Sequence, residues 1–232
     1  MKKTRSANPA ARIAVVAGAS GLVGRALARR LLATPTYRSV VALTRRALGI
    51  SPQLVEVPAS FDDLATVLRP VAGAAVVDAY CCLGTTMKAA GSEAAFRRVD
   101  HDYVLAFARW AMQRRAHRLV VISALGAAAK SRVLYNRVKG ETEDALRGLS
   151  GKTLVLLRPS LLDGPRAERR SGEALALALT RPVRALLPAS IRPVDVEDVA
   201  QSMIDAALAR DPAPLIMSAS MQGAARRAVR TD

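Results

Sequence analysis

The sequence predicts an α/β fold built on a doubly wound parallel sheet with helices on both faces. Short apolar runs alternate with amphipathic helical patterns along most of the chain, which is typical of β-α-β units. A glycine-rich turn joins the first apolar run to the first helical pattern. The run at 74–82 is almost wholly apolar, as expected for a strand that helices cover on both sides.

The predicted elements follow in order along one domain, 1–232. Strands are predicted at about 12–17, 39–44, 54–57, 74–82, 118–123, 154–157 and 214–217. Helices are predicted at about 22–32, 61–68, 92–114, 133–147 and 195–207. Prolines interrupt this rhythm after Pro159, so we expect residues 160–192 to form a small lid. Residues 223–232 are small and basic, and we expect a flexible tail there.

Composition indicates a globular protein with an unusual charge. The chain has 232 residues, of which 51% are hydrophobic, and a formal net charge of +16. The arginines are spread along the chain without an aromatic platform, so we expect attraction to anionic ligands but no specific nucleic-acid partner. No apolar stretch is long enough to cross a bilayer, so no membrane span is expected.

Two adjacent cysteines, Cys81 and Cys82, cannot form a disulfide framework and lack metal-ligand spacing. They fit a reducing compartment and are expected to be small buried residues. The apolar run near the N-terminus superficially resembles a secretory signal, but cleavage there would destroy the glycine-rich turn. We therefore predict a cytoplasmic protein without a metal site.

Three glycines spaced three apart, Gly18, Gly21 and Gly24, lie between the first strand and the first helix. Such a turn brings backbone N–H groups and a helix N-terminus onto a pyrophosphate. We predict that the whole turn binds a dinucleotide; its other residues are Ala19, Ser20, Leu22 and Val23. The alternative is a plain β-α turn, because glycine-rich turns are common.

The end of the second strand is where dinucleotide-binding folds meet the adenosine ribose. An acidic residue there would bind the 2′-hydroxyl of NAD, but this chain has Arg45 and Arg46. Two guanidinium groups suit a 2′-phosphate, so NADP(H) is the predicted cofactor. The alternative is that both are ordinary solvated residues of an arginine-rich chain.

A tyrosine and a lysine four residues apart, Tyr135 and Lys139, share one face of a predicted helix. A nearby cation stabilises a phenolate, so the tyrosine can exchange a proton with an alcohol or a carbonyl. The lysine can also hold the nicotinamide ribose. An exposed helical pair is the alternative, but the glycine turn and a strand ending at Ser123 precede the pair in the order that favours catalysis.

Together these residues resemble the short-chain dehydrogenase/reductase superfamily, and most closely its atypical branch of Tat-interacting-protein-like oxidoreductases. The resemblance covers about residues 12–165. Its segments are 18–24, 44–46, 81–86, 98–104 and 134–141. Two further segments, 158–165 and 192–200, resemble epimerase-like relatives.

The resemblance implies a Rossmann fold, NADP(H) and tyrosine-dependent hydride chemistry. Tyr135 is then the general acid and base, Lys139 its partner and a ribose ligand, and Ser123 orients the substrate carbonyl. Residues expected beside the cofactor are Cys82, Leu83, Gly84, Pro159, Ser160, Leu161 and Leu162. This chain departs from the family in two places: Ser60 stands where an acidic residue often lies near the adenine, and Ala124 replaces a second hydroxyl residue.

The predicted function is that of an NADP(H)-binding oxidoreductase that transfers a hydride between nicotinamide and a small carbonyl or alcohol substrate. Ala124 leaves open a cofactor-sensing regulatory or interaction protein without turnover. A nucleotide-sugar epimerase or dehydratase comes third, because the short lid leaves little room for such a substrate. A homodimer is plausible by analogy with the fold class.

Overall fold

The computed structural model describes residues 12–45, 47–62, 64, 76–164 and 187–229. Within them, seven strands form one parallel sheet: β1 (Arg12–Ala17), β2 (Tyr37–Thr44), β3 (Val55–Pro58), β4 (Val77–Cys81), β5 (Arg118–Ile122), β6 (Leu154–Arg158) and β9 (Leu215–Met217). Their order across the sheet is β3-β2-β1-β4-β5-β6-β9. The strand order reverses between β1 and β4, as in a doubly wound Rossmann fold. The predicted fold class is therefore confirmed.

Helices connect the strands and cover the sheet. They are α1 (Leu22–Leu32), α2 (Met87–Ala90), α3 (Glu93–Arg97), α4 (Tyr103–Gln113), α5 (Leu134–Ser150), α6 (Val196–Leu208), α7 (Ser218–Met221) and α8 (Ala224–Val229). Because all strands of the sheet are parallel, their carboxyl ends meet at one edge. The loops that follow them therefore lie together, and a ligand site is expected there.

Two apolar layers cover the sheet. Ala14 and Val16 of β1 belong to one layer, which α1 and α6 complete. Ile13, Val15 and Ala17 belong to the other layer, built mainly with α4. This alternation follows from the period of two along a strand. The chain has few aromatic residues, so alanine, valine and leucine make up most of both layers.

β2 begins two residues earlier than the sequence predicts, because Tyr37 pairs with Arg12 of β1; the Tyr37 side chain also takes part in a buried polar contact. Its hydroxyl donates to Asp78 Oδ2 at 2.9 Å and lies 2.6 Å from the Tyr80 hydroxyl. These partners lie on β4, two strands away in the sheet. The contact depends on tertiary structure and leaves no local pattern in the sequence.

The helix predicted at 92–114 is divided by one π-turn. Ser92 caps its start by accepting the Ala95 N–H at 3.1 Å. The π-turn spans Arg98–Asp102, between α3 and α4. Such turns often lie at functional sites. This one carries Asp100, which is fully buried.

The C-terminal part differs from the sequence prediction in two ways. The start of the predicted lid forms a strand, β7 (Leu162–Asp163), which pairs in parallel with β8 (Val194–Asp195), just beyond the predicted end of the lid. The tail was expected to be flexible, but part of it forms α8. Asp198 holds this segment by accepting the N–H groups of Gly223 at 2.7 Å and Ala225 at 3.0 Å. Residues 165–186 of the lid, 230–232 of the tail and most of the predicted helix at 61–68 lie outside the described residues.

Candidate active site

The glycine-rich turn adopts a conformation that side chains would prevent. Gly18 has a φ of +81°, and a Cβ atom there would lie 2.5 Å from the carbonyl carbon of Cys82. A Cβ atom at Gly24 would lie 2.2 Å from the Gly18 carbonyl oxygen. Real Cβ atoms do not approach backbone so closely, so glycine is required at both positions. The turn thus packs directly on the loop after β4, and α1 packs directly on the turn.

No side chain of the turn neutralises the N-terminus of α1. Gly21 occupies the cap position without a side-chain hydrogen bond, and the first turn of the helix has no acidic residue. Ser20 and Gly21 are exposed, whereas Ala19 and Val23 are buried. The first N–H groups of a helix and the positive end of its dipole bind anions. The geometry fits the diphosphate of a dinucleotide.

The loop after β2 exposes Arg45 to solvent, and Arg46 lies outside the described residues. Arg25 holds the continuation of this loop by donating to the Leu48 carbonyl oxygen at 3.0 Å. After β3, Ser60 is exposed and accepts the Asp62 N–H at 3.4 Å. Arg45 and Ser60 therefore lie at the ends of adjacent strands, on the edge where an adenosine would lie.

The loop after β4 connects the glycine turn to the predicted catalytic pair. At one end, the Cys82 N–H donates to the Ala17 carbonyl oxygen at 2.8 Å. Two residues later, a Cβ atom at Gly84 would lie 3.3 Å from Asp100 Oδ1 and 3.7 Å from Lys139 Nζ. The loop therefore packs on the glycine turn at one end and passes close to Asp100 and Lys139 at the other.

The cysteine that ends β4 behaves as a small apolar residue. Cys81 is fully buried, and this burial raises the pKa of its thiol to about 12. A thiol in that environment stays protonated at neutral pH and is a poor nucleophile. The sequence interpretation of Cys81 as a buried hydrophobic residue agrees with this environment.

Helix α5 places Tyr135, Lys139 and Glu143 in one row, four residues apart. Tyr135 lies at the rim, 37% exposed, with its ring centroid 5.8 Å from that of Phe96. Lys139 is only 5% exposed, and its ammonium lies 2.8 Å from Asp100 Oδ1. Burial opposes the charge of Lys139, but Asp100 and then Tyr135 outweigh it, so the pKa of the lysine is raised. The pair is thus a rim tyrosine above a buried, charged lysine.

Ser123 follows β5 with its hydroxyl in the protein interior. The side chain is buried and faces the Glu143 carboxylate, without good hydrogen-bond geometry to any described residue. It lines a cavity of about 10 Å³. The other polar residues of the cavity wall are Asp100, Lys139, Thr142 and Glu143. A hydroxyl that orients a substrate carbonyl must reach the open side of the site, so this placement argues against the role expected for Ser123.

Glu143 is a buried carboxylate at the centre of a second charge cluster, whose arginines reach the surface. Its carboxylate accepts two hydrogen bonds from Arg158, at 2.8 and 2.5 Å, and one from Arg147 at 2.7 Å. Burial works against ionisation of Glu143, but the hydrogen bonds and positive charge of Arg158, together with Arg147, outweigh it and lower the pKa of the carboxyl group. Because Arg158 ends β6 and Glu143 lies on α5, the cluster fixes the helix that carries Tyr135 and Lys139 to the sheet.

The segment after β6 is held from two sides. The Pro159 carbonyl oxygen accepts the Leu125 N–H at 2.9 Å, from the loop after β5. The Ser160 hydroxyl donates to the Arg192 carbonyl oxygen at 2.5 Å and accepts from the Ser218 hydroxyl at 2.9 Å. Leu161 and Leu162 follow, both half-buried. The segment lies at the same sheet edge as the glycine turn, because β6 is parallel to β1.

Asp100 is the residue that sequence reasoning missed. It lies on the helix predicted at 92–114, within a segment of the family resemblance, but was assigned no role in the site. A signal was present, however: Asp100 lies four residues from both Phe96 and Val104, which are buried. A charged residue on the apolar stripe of a helix requires a buried partner.

No helix in the described ranges is long and apolar enough to cross a membrane. Among the residues whose placement the structure gives, no three histidine, cysteine, aspartate or glutamate side chains are grouped so that they could hold a metal ion.

Comparisons with known proteins agree with the fold and the motifs. The model of the NAD dependent epimerase/dehydratase family matches residues 14–211. Protein FMP52, mitochondrial, of Eremothecium gossypii is 33% identical over 166 residues, which cover 72% of this chain and 73% of that protein. Protein HTATIP2 of Rattus norvegicus is 34% identical over 169 residues, which cover 69% of this chain and 67% of that protein. The resemblance inferred from the motifs is confirmed.

A solved structure, MoeE5 in complex with UDP-glucuronic acid and NAD, shares the fold. Its TM-score is 0.66 at 18% sequence identity, and the alignment covers 88% of this chain and 74% of MoeE5. Another, the ADP-L-glycero-D-manno-heptose-6-epimerase of Helicobacter pylori, has a TM-score of 0.65 at 18% identity, with 89% and 76% covered. At this identity the likeness shows the fold alone.

The predicted cytoplasmic location is contradicted. Relatives from Eremothecium gossypii, Emericella nidulans and Candida albicans are all named as mitochondrial proteins. The prediction depended on the cysteines, on the rejection of a secretory signal and on the lack of a membrane-spanning stretch. None of these features distinguishes the cytoplasm from an organelle whose interior is reducing.

Proposed function

Because the chain belongs to the NAD dependent epimerase/dehydratase family, we propose that it is an NADP(H)-binding oxidoreductase acting on a small carbonyl or alcohol substrate. One observation carries the proposal: the loop after β4 packs on Gly18 at one end and passes beside Lys139 at the other, so closely that a Cβ atom at Gly84 would lie 3.7 Å from Lys139 Nζ. Its residues Cys82 to Thr85 span at most about 11 Å, because successive Cα atoms are 3.8 Å apart. One nucleotide is long enough to touch both ends.

The residues present fit a dinucleotide. The N–H groups at the start of α1 would hold the diphosphate, and Arg45 would meet a phosphate on the adenosine ribose. Lys139 would donate hydrogen bonds to the hydroxyls of the nicotinamide ribose. The bound nicotinamide supplies or accepts the hydride in such reactions.

Tyr135 would exchange the proton of the substrate oxygen. Its position at the rim lets the phenol reach a substrate, and the helix sets the Lys139 ammonium one turn away. The raised pKa of Lys139 keeps this lysine positively charged at neutral pH. A fixed positive charge near the phenol favours the phenolate that remains when the proton has moved to the substrate.

Replacement of Tyr135 tests the enzymatic role. We expect Tyr135→Phe to bind NADPH like the parent and to lower kcat on an identified carbonyl substrate by at least about 100-fold, the usual contribution of a general acid. Tyr103→Phe is the control, since Tyr103 lies on the neighbouring helix and its hydroxyl donates to Asp62. Full turnover by Tyr135→Phe would overturn the role.

A cofactor sensor without turnover is the second candidate. The inward Ser123 hydroxyl and the absence of a hydroxyl from Ala124 favour it, because neither residue would polarise a substrate carbonyl. A sensor would bind NADPH, show no reduction across a broad panel of carbonyl compounds, and change its affinity for a partner protein with NADPH. Turnover that depends on Tyr135 would exclude this candidate.

The preference for NADP(H) over NAD(H) rests on the end of β2. We expect Arg45→Ala/Arg46→Ala to weaken NADPH binding by at least about tenfold while leaving NADH binding unchanged, since charge-assisted hydrogen bonds contribute about 1.5–3 kcal/mol. Arg38→Ala is the matched control, because Arg38 is exposed near the other end of the same strand. Equal affinities for NADPH and NADH in the parent protein, measured by calorimetry, would refute the preference.

A further inference from the structure

Exposed apolar side chains are grouped at the edge of the sheet that carries the candidate active site. Among the residues that the structure describes, eight large apolar side chains are exposed. Five of them lie at the carboxyl ends of strands or in the segments that follow: Met87, Val133, Tyr135, Ile191 and Met217. Single exposed apolar residues are ordinary on a protein surface, but a group of them at one site indicates a ligand that covers them.

A chain of contacts joins the segments that carry these side chains. The ring of Tyr135 packs on that of Phe96, with centroids 5.8 Å apart, and Phe96 belongs to α3, which follows Met87 of α2 along the chain. The Leu125 N–H donates to the Pro159 carbonyl oxygen at 2.9 Å, which joins the loop before α5 to the segment after β6. The loop before α5 and the start of that helix therefore connect α3 to the segment after β6.

The segment after β6 continues the group on its other side. The Ser160 hydroxyl donates to the Arg192 carbonyl oxygen and accepts from the Ser218 hydroxyl. Ile191 directly precedes Arg192 in the sequence, and Met217 directly precedes Ser218. These two exposed apolar residues therefore lie close to Ser160.

Val133 is presented to solvent by a hydrogen-bonded loop. Its side chain is 58% exposed, two residues before Tyr135. Its N–H donates to the Ser131 hydroxyl at 3.1 Å, and the Arg137 guanidinium donates to the Ser131 carbonyl oxygen at 3.1 Å. An apolar side chain that is held in water beside the proposed general acid favours a substrate whose apolar part covers it.

The same loop is cationic. Lys130 and Arg132 are exposed on either side of Ser131, and the exposed Lys88 follows Met87 directly. The segments 83–92 and 125–137 contain no aspartate or glutamate. This part of the rim therefore attracts an anionic group and places it next to the exposed apolar side chains.

We propose that the substrate is an apolar carbonyl compound that carries one anionic group, as a long-chain keto acid does. This proposal rests on the function proposed above and names its substrate class. Val133 would contact the apolar chain, while Lys130 and Arg132 would meet the anionic group. The carbonyl carbon takes a hydride and the carbonyl oxygen takes the Tyr135 proton, so the ketone becomes an alcohol as NADPH becomes NADP+. A nucleotide sugar fits this rim poorly, because its hydroxyl groups need partners that apolar side chains lack.

Calorimetry with 7-oxooctanoate tests the substrate class without turnover, because the NADP+-loaded protein has no hydride to give to a ketone. The methyl ester of this keto acid keeps the chain but lacks the charge, and pyruvate keeps the charge but lacks the chain. We expect 7-oxooctanoate to bind at least about threefold more tightly than its ester and about tenfold more tightly than pyruvate. Equal affinities for all three compounds would overturn the proposal.

Two variants locate the binding on the rim. Val133→Ser should weaken binding of 7-oxooctanoate at least about threefold. Lys130→Gln/Arg132→Gln should remove the preference for the acid over its ester. Leu149→Ser and Lys152→Gln are matched controls at the other end of α5, where both side chains are exposed, and should bind as the parent does. Parental affinity in Val133→Ser, or a retained preference in the double variant, would contradict the assigned contacts.

Failure of the proposed function has a different signature. If 7-oxooctanoate binds with these preferences but NADPH is not oxidised in its presence, the ligand class holds and the hydride transfer is refuted. If NADPH is oxidised equally fast with pyruvate, the methyl ester and 7-oxooctanoate, the hydride transfer holds and the substrate class is refuted.

Discussion

Glu143 shows how a single buried carboxylate can control the stability of the helix that carries the site. A carboxyl group whose pKa is lower in the folded than in the unfolded chain stabilises the fold above its unfolded value of 4.5. This stabilisation is lost as the pH falls through the folded value. Arg158 and Arg147 are the groups that hold the ionised form against burial.

We predict that Glu143→Gln destabilises the protein by about 3 kcal/mol at pH 7, because it leaves Arg158 without its buried partner. The difference from the parent should shrink as the pH falls below 4.5, where the unfolded parental chain takes up a proton, and should vanish once the folded carboxyl group is protonated as well. Urea unfolding across this pH range measures both effects. Asp144→Asn is the control, since Asp144 is exposed and contacts the same Arg147. A difference that does not vary with pH would contradict the account.

Two glycines in helices, Gly24 and Gly148, differ in whether the surrounding structure leaves room for a side chain. Gly24 in α1 has no room for a Cβ atom beside the Gly18 carbonyl oxygen, whereas nothing lies within 4 Å of a Cβ atom at Gly148 in α5. Both positions would otherwise gain stability from alanine, because alanine is the better helix former.

We therefore predict opposite effects from the same substitution. Gly24→Ala should lower the free energy of unfolding by at least about 2 kcal/mol and weaken NADPH binding, since the turn must open to admit the methyl group. Gly148→Ala should raise the free energy of unfolding by up to about 1 kcal/mol, or about 2–4 °C in Tm. Thermal unfolding and NADPH titration check both. Tolerance of Gly24→Ala would refute the close packing of α1 on the turn.

The elements that could be predicted from the sequence are those with a local pattern. β1 and the glycine turn were predicted because an apolar run, three spaced glycines and an amphipathic helix are adjacent in the chain. The π-turn at Asp100 and the hydrogen bonds from Asp198 to the segment around α8 were not predicted, because both depend on partners far away in sequence. The sequence also did not predict that the Ser123 hydroxyl is buried beside the Glu143 carboxylate, because Glu143 lies on a different element, α5.

At the scale of the whole molecule, the parallel sheet brings the separate motifs to one edge. The glycine turn follows β1, Arg45 follows β2, the loop that passes beside Lys139 follows β4, and Pro159 follows β6. The sequence shows the order of these motifs along the chain. Their distances from one another in space follow only from the order of the strands in the sheet. The net charge of +16 acts at the scale of the whole molecule, because a cationic protein attracts anionic ligands such as the proposed cofactor.

The central claim, that the glycine turn binds the diphosphate of the cofactor, is tested most directly by two nearly isosteric substitutions at exposed Ser20. NADPH affinity is measured by fluorescence titration for Ser20→Asp and Ser20→Asn, with folding checked by thermal unfolding. We predict that Ser20→Asp weakens binding at least tenfold, about 1.4 kcal/mol, because its carboxylate repels the diphosphate, and that Ser20→Asn binds nearly as the parent does. Equal and parental affinities in both variants would contradict the account.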